Sequence, residues 1–344
     1  MPGLHSAPMI DWTPNSIAVQ IPFPIIGQLD VYWYGIAYAA GLVLAYSVVT
    51  RMASRYGQNL DHVFNGMVVI AVAALIGGRA YHVIDQWQLY KDDLPKIFLP
   101  PYTGLGVYGG IVTGLIAFAY LVRRWRLDLW AWADIIAPGI FAMQGIARWG
   151  NFFNQELYGP PTTLPWGIAI DCAHRVAPWT CDVYPAGTHF TPLFLYESIS
   201  GLIGMAVLLW LASRPRPRLR RGDLLPIGLI WYAFVRFVLE NLRTGNWRLD
   251  GIATAQIFSI LFIVGSIALL VYRHRAAPPS AMVGLPPEGA TAGADSDPDD
   301  ADEGDPEPGA PGGGPERDAA PDRSAAESGR PAASGRDADL EPQT

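Results

Sequence analysis

The chain has 344 residues, 51% of them hydrophobic and only 16% charged, against about a quarter charged in an ordinary soluble domain. The net charge of −7 averages two unlike polymers: residues 276–344 hold 16 of the 31 acidic and 4 of the 24 basic residues, a net of −12, which leaves residues 1–275 at +5. A soluble enzyme is excluded for the body, and a nucleic-acid binder is disfavoured because no basic patch interleaved with aromatics occurs.

In chain order, residues 1–30 contain no Lys or Arg and are interrupted by Pro22 and Pro24. No cleavable signal peptide is read there, and the segment is expected to be extracytoplasmic or interfacial. Seven apolar stretches follow, near 31–50, 63–84, 104–122, 129–147, 193–212, 224–242 and 252–272. Each is long enough, or nearly so, to span roughly 30 Å of hydrocarbon at about 1.5 Å per residue. The fold class is therefore an all-α integral membrane protein with seven transmembrane helices, a membrane body over 31–275. Residues 148–192 form the longest insert in that body and read as a small extracytoplasmic head.

Loop charge sets the orientation. Arg51, Arg55, Arg123, Arg124, Arg126, five arginines from Arg214 to Arg221, Arg273 and Arg275 place 12 basic residues on one side; Lys91, Lys96, Arg148, Arg175, Arg243 and Arg248 place 6 on the other. Basic loops stay cytoplasmic, so the N-terminus is expected outside and the C-terminus inside. The tail 276–344 is rich in Ala, Gly, Pro and Asp, with 12 Pro and no aromatics. It is expected to be a disordered cytoplasmic appendage, since it cannot bury enough apolar surface to offset chain entropy. No internal repeat is visible, which weakens an inverted-repeat transporter.

Ionisable groups in a span cost at least about 2.5–3.5 kcal/mol at its centre, so each needs a reason. With this orientation, Tyr34, Arg79, His82, Asp85, Tyr108, Arg148, Asn151, Tyr196, Glu197, Arg236, Glu240, Asn241 and Arg243 all fall in the outer half of the bilayer or at its outer face. That convergence predicts one polar cavity open to the outer leaflet. Several arginines without as many facing carboxylates point to an anion there, because a guanidinium matches a phosphate oxygen pair with two parallel hydrogen bonds. For Arg236 and Glu240, four residues apart on one helix face, a self-satisfied ion pair is the alternative. For Arg79, beside Gly77 and Gly78, the alternative is a snorkelling side chain. The densest polar run is Gly145–Thr162, GIARWGNFFNQELYGPPT, where a solvated loop is equally compatible with the residues alone.

These segments together resemble prolipoprotein diacylglyceryl transferase, an integral membrane enzyme of bacterial lipoprotein maturation. The resemblance covers about residues 20–275. It rests on WYG at Trp33–Gly35, GGR at Gly77–Arg79, the GLGVYGG entry to the third span, RxGNFxNxELYG from Arg148 to Gly159, LYE at Leu195–Glu197, and R-x3-E at Arg236 and Glu240. It implies transfer of diacylglyceryl from phosphatidylglycerol to the lipobox cysteine thiol of a preprolipoprotein, in the bacterial cell membrane, with no cofactor. It also implies catalytic roles for Arg148, Arg236, Glu240, Asn151, Glu156 and Tyr34. Substrate contacts are expected from Arg148, Gly159, Arg79, Tyr108, Gly109, Gly110, Glu197 and Arg243. The chain departs from the family pattern at Tyr108 and Thr191, where histidines are common, and at Ala147, Trp149 and Gln155; an aromatic at position 108 resembles high-GC Gram-positive members. A silent paralogue that binds phosphatidylglycerol or lipoprotein precursor, and an anion or lipid transporter, are the competing functions.

Cys172 and Cys181 are the only cysteines. An oxidising compartment favours a disulfide between them, with two free thiols as the alternative. His174 and His189 lie nearby, but the spacing is not a zinc pattern, and no metal site is expected.

Overall fold

The computed structural model describes residues 10–23, 27–98, 104–213 and 219–276; apart from Ala276, the acidic tail lies outside the described residues. Seven α-helices occur among them: α1 Trp33–Arg55, α2 Asp61–Asp85, α3 Val107–Arg124, α4 Leu129–Phe153, α5 Leu193–Ala212, α6 Leu224–Glu240 and α7 Thr254–Ala276. Six have the length and apolar composition to cross a membrane. The seventh, α6, has 17 residues, the lower end of what spans the hydrocarbon. Exposed apolar side chains such as Val72, Leu75, Ile76, Leu115, Ile116, Leu261 and Phe262 cover α2, α3 and α7. In water such surface would be an aggregation liability; in a bilayer it is the solvent-facing surface. The protein is an all-helical integral membrane protein.

The helices extend beyond the apolar runs. α4 continues through Arg148 and Asn151 to Phe153, so those two residues sit on its last turns rather than in a loop after it. α3 begins at Val107, leaving Gly104–Gly106 outside the helix. Small antiparallel pairs also appear that no apolar pattern announces: β1 Ile17–Phe23 with β2 Gly27–Tyr32, β3 Ile168–Ala169 with β4 His189–Phe190, and β5 Arg248–Leu249 with β6 Ile252–Ala253. The last pair turns through Asp250 and Gly251, whose φ angles of 48° and 83° suit the tight two-residue hairpin loop that Asp-Gly favours.

The core helix is α4, packed on α1, α5 and α6, while α2 and α3 pack chiefly on each other. Phe141 of α4 sits at a three-helix junction, where a Cβ on Gly204 of α5 or on Gly228 of α6 would meet its ring at 2.6 and 2.8 Å.

At the opposite end from the head, fully buried Asp134 of α4 accepts backbone hydrogen bonds from Gly222 at 2.6 Å and Leu224 at 2.8 Å. A side chain on one helix thus satisfies the free N–H groups that open another, which is why α6 starts where it does. Around it, Asp223 accepts from the Arg220 backbone and pairs with His274 at 2.8 Å, and Arg273 lies 3.8 Å over the Trp130 ring and donates to Gly222. Asp128 caps α4 through the Trp130 and Ala131 amides and pairs with Arg221 at 2.9 Å. Burial raises the Asp128 pKa, but the Arg221 and backbone hydrogen bonds outweigh it and hold the carboxyl below its ordinary value. Replacing Asp134 with Ala should cost about 1–3 kcal/mol, because two buried amides lose their acceptor. Denaturant titration in detergent micelles reads this directly, and an unchanged midpoint would contradict the capping role.

Candidate active site

The site begins with a close crossing of α4 and α5. A Cβ on Gly201 would lie 3.0 Å from the Gly145 backbone nitrogen, and Ser198 Oγ donates to the Gly145 carbonyl at 2.6 Å. Arg148 stands three residues past the crossing on α4, and Glu197 four residues before it on antiparallel α5. Both therefore lie about one turn beyond it in the same direction.

Glu197 is 3% exposed and is shared by three guanidinium groups. Arg148 approaches Oε2 at 2.7 Å, and Arg243 and Arg236 approach Oε1 at 3.3 and 3.6 Å. Arg236 also pairs with buried Glu240 at 2.8 Å, one turn along α6. Three cations thus face two carboxylates. Among the hydrogen bonds described, the buried Nε of Arg148 donates to none. Burial, then the neighbouring Arg236 charge, pull the Arg243 guanidinium below its ordinary pKa, with Glu197 and Glu240 pulling the other way. The unbalanced positive charge favours an added anion.

The chain leaves α4 through a tight turn. Asn151 and Asn154 each donate to one oxygen of Glu156 at 3.2 Å, and the Glu156 amide donates to the Asn151 carbonyl at 2.8 Å. Gly159 donates to the Thr191 carbonyl at 2.8 Å, and a Cβ there would lie 3.1 Å from the Leu242 carbonyl, so its small size lets the end of α6 approach. Tyr34, at the start of α1, stacks on Tyr38 with hydroxyls 3.1 Å apart, and its ring lies against Gly150.

Arg79, Tyr108, Gly109 and Gly110 form a second group on α2 and α3. Arg79 donates to the carbonyls of Ile97, Lys96 and Gly104 at 3.1, 2.8 and 3.3 Å, pinning the loop that follows α2. Gly109 and Gly110 bring α3 against the backbone of Gly77 and Ala74. Tyr108 is 71% exposed, its ring 6.0 Å from Tyr81. The described contacts of Arg79 and Tyr108 thus lie within α2, α3 and the loop between them, and none of them reaches Arg148, Glu197, Arg236 or Glu240. An apolar cavity of about 370 Å³ lies between α1, α2, α3 and α4, where Val49, Met67, Phe118, Ile136 and Met143 line it.

In the head, Cys172 and Cys181 are disulfide-bonded, with Cα atoms 5.5 Å apart. Arg175, between them in sequence, is 7% exposed and donates to the carbonyls of Ile170, Tyr184, Pro185 and Ala186. No group of three His, Cys, Asp or Glu among the described residues could hold a metal ion.

A family model for prolipoprotein diacylglyceryl transferase matches residues 20–272. The chain belongs to that family. Among its relatives, phosphatidylglycerol–prolipoprotein diacylglyceryl transferase of Halalkalibacterium halodurans is 37% identical over 250 residues, 72% of this chain and 84% of the relative. The proteins of the same name from Chloroflexus aggregans and Enterococcus faecalis are each 36% identical, covering 74% and 76% of this chain and 89% and 91% of theirs. Family membership agrees with the multi-pass architecture.

Two contributors went unassigned in the sequence. Asn154 stands two residues before Glu156 inside the signature, and that spacing was a usable signal. Ser198 had none beyond its place after Glu197, since its bond to Gly145 exists only once α4 and α5 cross. Gly201→Val should destabilise the bundle by about 1–3 kcal/mol through overpacking of that crossing. Thermal melts in detergent test this; a wild-type melting temperature would mean that the helices are not in contact there.

Proposed function

We propose that the chain transfers the diacylglyceryl group of phosphatidylglycerol to the lipobox cysteine thiol of a preprolipoprotein, forming a thioether and releasing glycerol-1-phosphate. The observation that carries this reading is the excess of guanidinium over carboxylate where Arg148, Arg236 and Arg243 meet Glu197 and Glu240. An uncompensated cation at the end of membrane helices calls for an anion, and a phosphodiester offers paired oxygens to a planar guanidinium. The names of the relatives support the same donor and acceptor.

In the reaction, a sulfur lone pair attacks the glyceryl carbon bonded to phosphate, and the carbon–oxygen bond breaks. The electron pair leaves on phosphate oxygen, and the thiol proton passes to the leaving phosphate or to solvent. Charge grows on that phosphate in the transition state, where Arg148 and Arg236 stabilise it. Glu240, held by Arg236 at 2.8 Å and 3% exposed, fits the role of orienting that guanidinium. Glu197 gathers all three arginines, and Glu156, held by two asparagines, faces the electrostatic neighbourhood of Tyr34 and Arg148.

Neither residue that replaces a family histidine is poised as a base. The Thr191 hydroxyl donates to the Pro160 carbonyl at 3.0 Å, and Tyr108 stands in the second group. Activation of the thiol, whose ordinary pKa is about 8.5, is therefore assigned to the positive field of the arginines. The charge bias of the loops supports a site at the outer leaflet of the bacterial cell membrane, where preprolipoprotein signal peptides are accessible. In that orientation the N-terminus is outside and the C-terminus cytoplasmic.

Arg148→Ala and Arg236→Ala should each lower transfer by about 10²–10³-fold, with Arg148→Lys recovering only part of it because one bidentate contact is lost. Tyr108→Phe should keep most of the activity. Glycerol-1-phosphate release by purified protein measures all four. Failure of well-expressed wild-type chain to complement a strain depleted of the transferase would overturn the enzymatic reading in favour of a silent binding paralogue. A dead Tyr108→Phe would return the phenol to the mechanism.

A further inference from the structure

Gln155 directly precedes Glu156 and takes a φ of 53°, the left-handed region that residues with a Cβ enter only when something holds them there. The residue is 2% exposed. Its amide nitrogen donates to the Pro14 carbonyl at 3.2 Å and to Asp171 Oδ2 at 2.8 Å, and its amide oxygen accepts from the Asp171 backbone at 2.7 Å. One side chain thus joins the segment that precedes β1, the turn after α4 and the entry to the disulfide-closed loop.

Each partner is itself fixed. The Ile10 amide donates to Gly167 at 3.1 Å and its carbonyl accepts from Ala169 at 3.0 Å. Asp11 meets His189 Nε2 at 2.8 Å, and Trp12 stands edge-on to Phe152 with centroids 5.6 Å apart. Asp171 immediately precedes Cys172 of the disulfide. The clamp is therefore anchored at both ends, and the residue it holds is the hinge between Asn154 and Glu156.

We infer that Gln155 is a positioning residue for the transfer: its amide, clamped between Pro14 and Asp171, holds the left-handed turn that aims Glu156 at Asn151 and Asn154. Hydrogen bonds do here what a glycine does by lacking a Cβ. The inference rests on the transferase reading above, and it assigns Gln155 no contact with substrate. It separates from a merely structural role by the behaviour of two variants. Alanine keeps the Cβ and loses the clamp, leaving only the backbone bonds from Gln155 to Phe152 and from Glu156 to Asn151 to hold the turn against its strain. Glycine loses the clamp as well, but needs none to stay left-handed. A merely structural role would instead lower the melting temperature and yield of the variants while leaving kcat per folded molecule at the wild-type value.

The test uses the full chain in detergent with phosphatidylglycerol micelles and a synthetic lipobox peptide, reading glycerol-1-phosphate release. Gln155→Ala should lower kcat about 10- to 100-fold, as misplacement of a site group by an ångström does, with KM for phosphatidylglycerol within about 3-fold of wild type. Gln155→Gly should retain kcat within about 3-fold, because the backbone conformation survives. Asp171→Ala, which removes the carboxylate end of the clamp, should lower kcat in the wild-type chain and leave it unchanged in the Gln155→Gly background, a non-additivity that marks coupling. If Gln155→Ala fails to fold, the Asp171→Ala comparison across the two backgrounds carries the test. Equal losses in the alanine and glycine variants, or an unaffected alanine variant, overturn the inference while leaving the enzyme reading intact. A wild-type chain without turnover overturns both.

Discussion

A carboxylate buried among three arginines stands only if the helices that carry them come close enough for the charges to meet. Glu197 satisfies that condition because α4 and α5 cross at Gly145 and Gly201, where no Cβ intervenes. One turn beyond the crossing, Arg148 meets Glu197 at 2.7 Å, and α6 brings Arg236 and Arg243 to the same carboxylate from the other side. The energetics run in one direction. Two buried carboxylates alone would be untenable in hydrocarbon, and two arginines would neutralise them. The third gives these five side chains one more cation than carboxylate, the excess on which the proposed phosphodiester binding rests. Packing and chemistry are thus one constraint: widening the crossing separates the arginines.

The two ends of the bundle solve different problems with similar residues. At the head end, arginines converge on carboxylates and retain unbalanced charge. At the other end, Arg220, Arg221 and Arg273 donate to backbone carbonyls and to Asp128, and Asp134 and Asp223 take up backbone amides. That second set leaves helix termini satisfied where they enter the interface. A guanidinium that faces carbonyls is held in place; one that faces a shared carboxylate can exchange its partner for a ligand.

Much of this was legible in the sequence, for reasons that differ by residue. Apolar runs disclosed seven helices because hydrocarbon thickness sets their length, and helical periodicity put Arg236 and Glu240 on one face, where an ion pair was one of two readings. The meeting of Arg148 with Glu197 was legible only as a shared depth, since no spacing relates residues on different helices. The same reasoning placed Arg79 and Tyr108 with them, but depth carries no azimuth, and the contacts of these two residues lie within α2, α3 and the loop between them. The β1–β2 hairpin and the extension of α4 past Arg148 escaped notice because both lie where the apolar pattern stops. Gln155 registered only as an oddity, and its left-handed turn became visible once the backbone was.

In the proposed orientation, the arginines before α6 and at the end of α7 act at two different times. While the nascent chain inserts, basic residues flanking a span act as retention signals, whatever they later touch. After folding, Arg221 holds Asp128, and Arg220 and Arg273 hold one another's stretch of backbone. In that proposed orientation, the signals that fix the direction of threading become the fastenings that close the finished bundle. Charge lost at these positions would be felt first as misoriented chains and only then as weakened ones, two defects with separate remedies and separate kinetics.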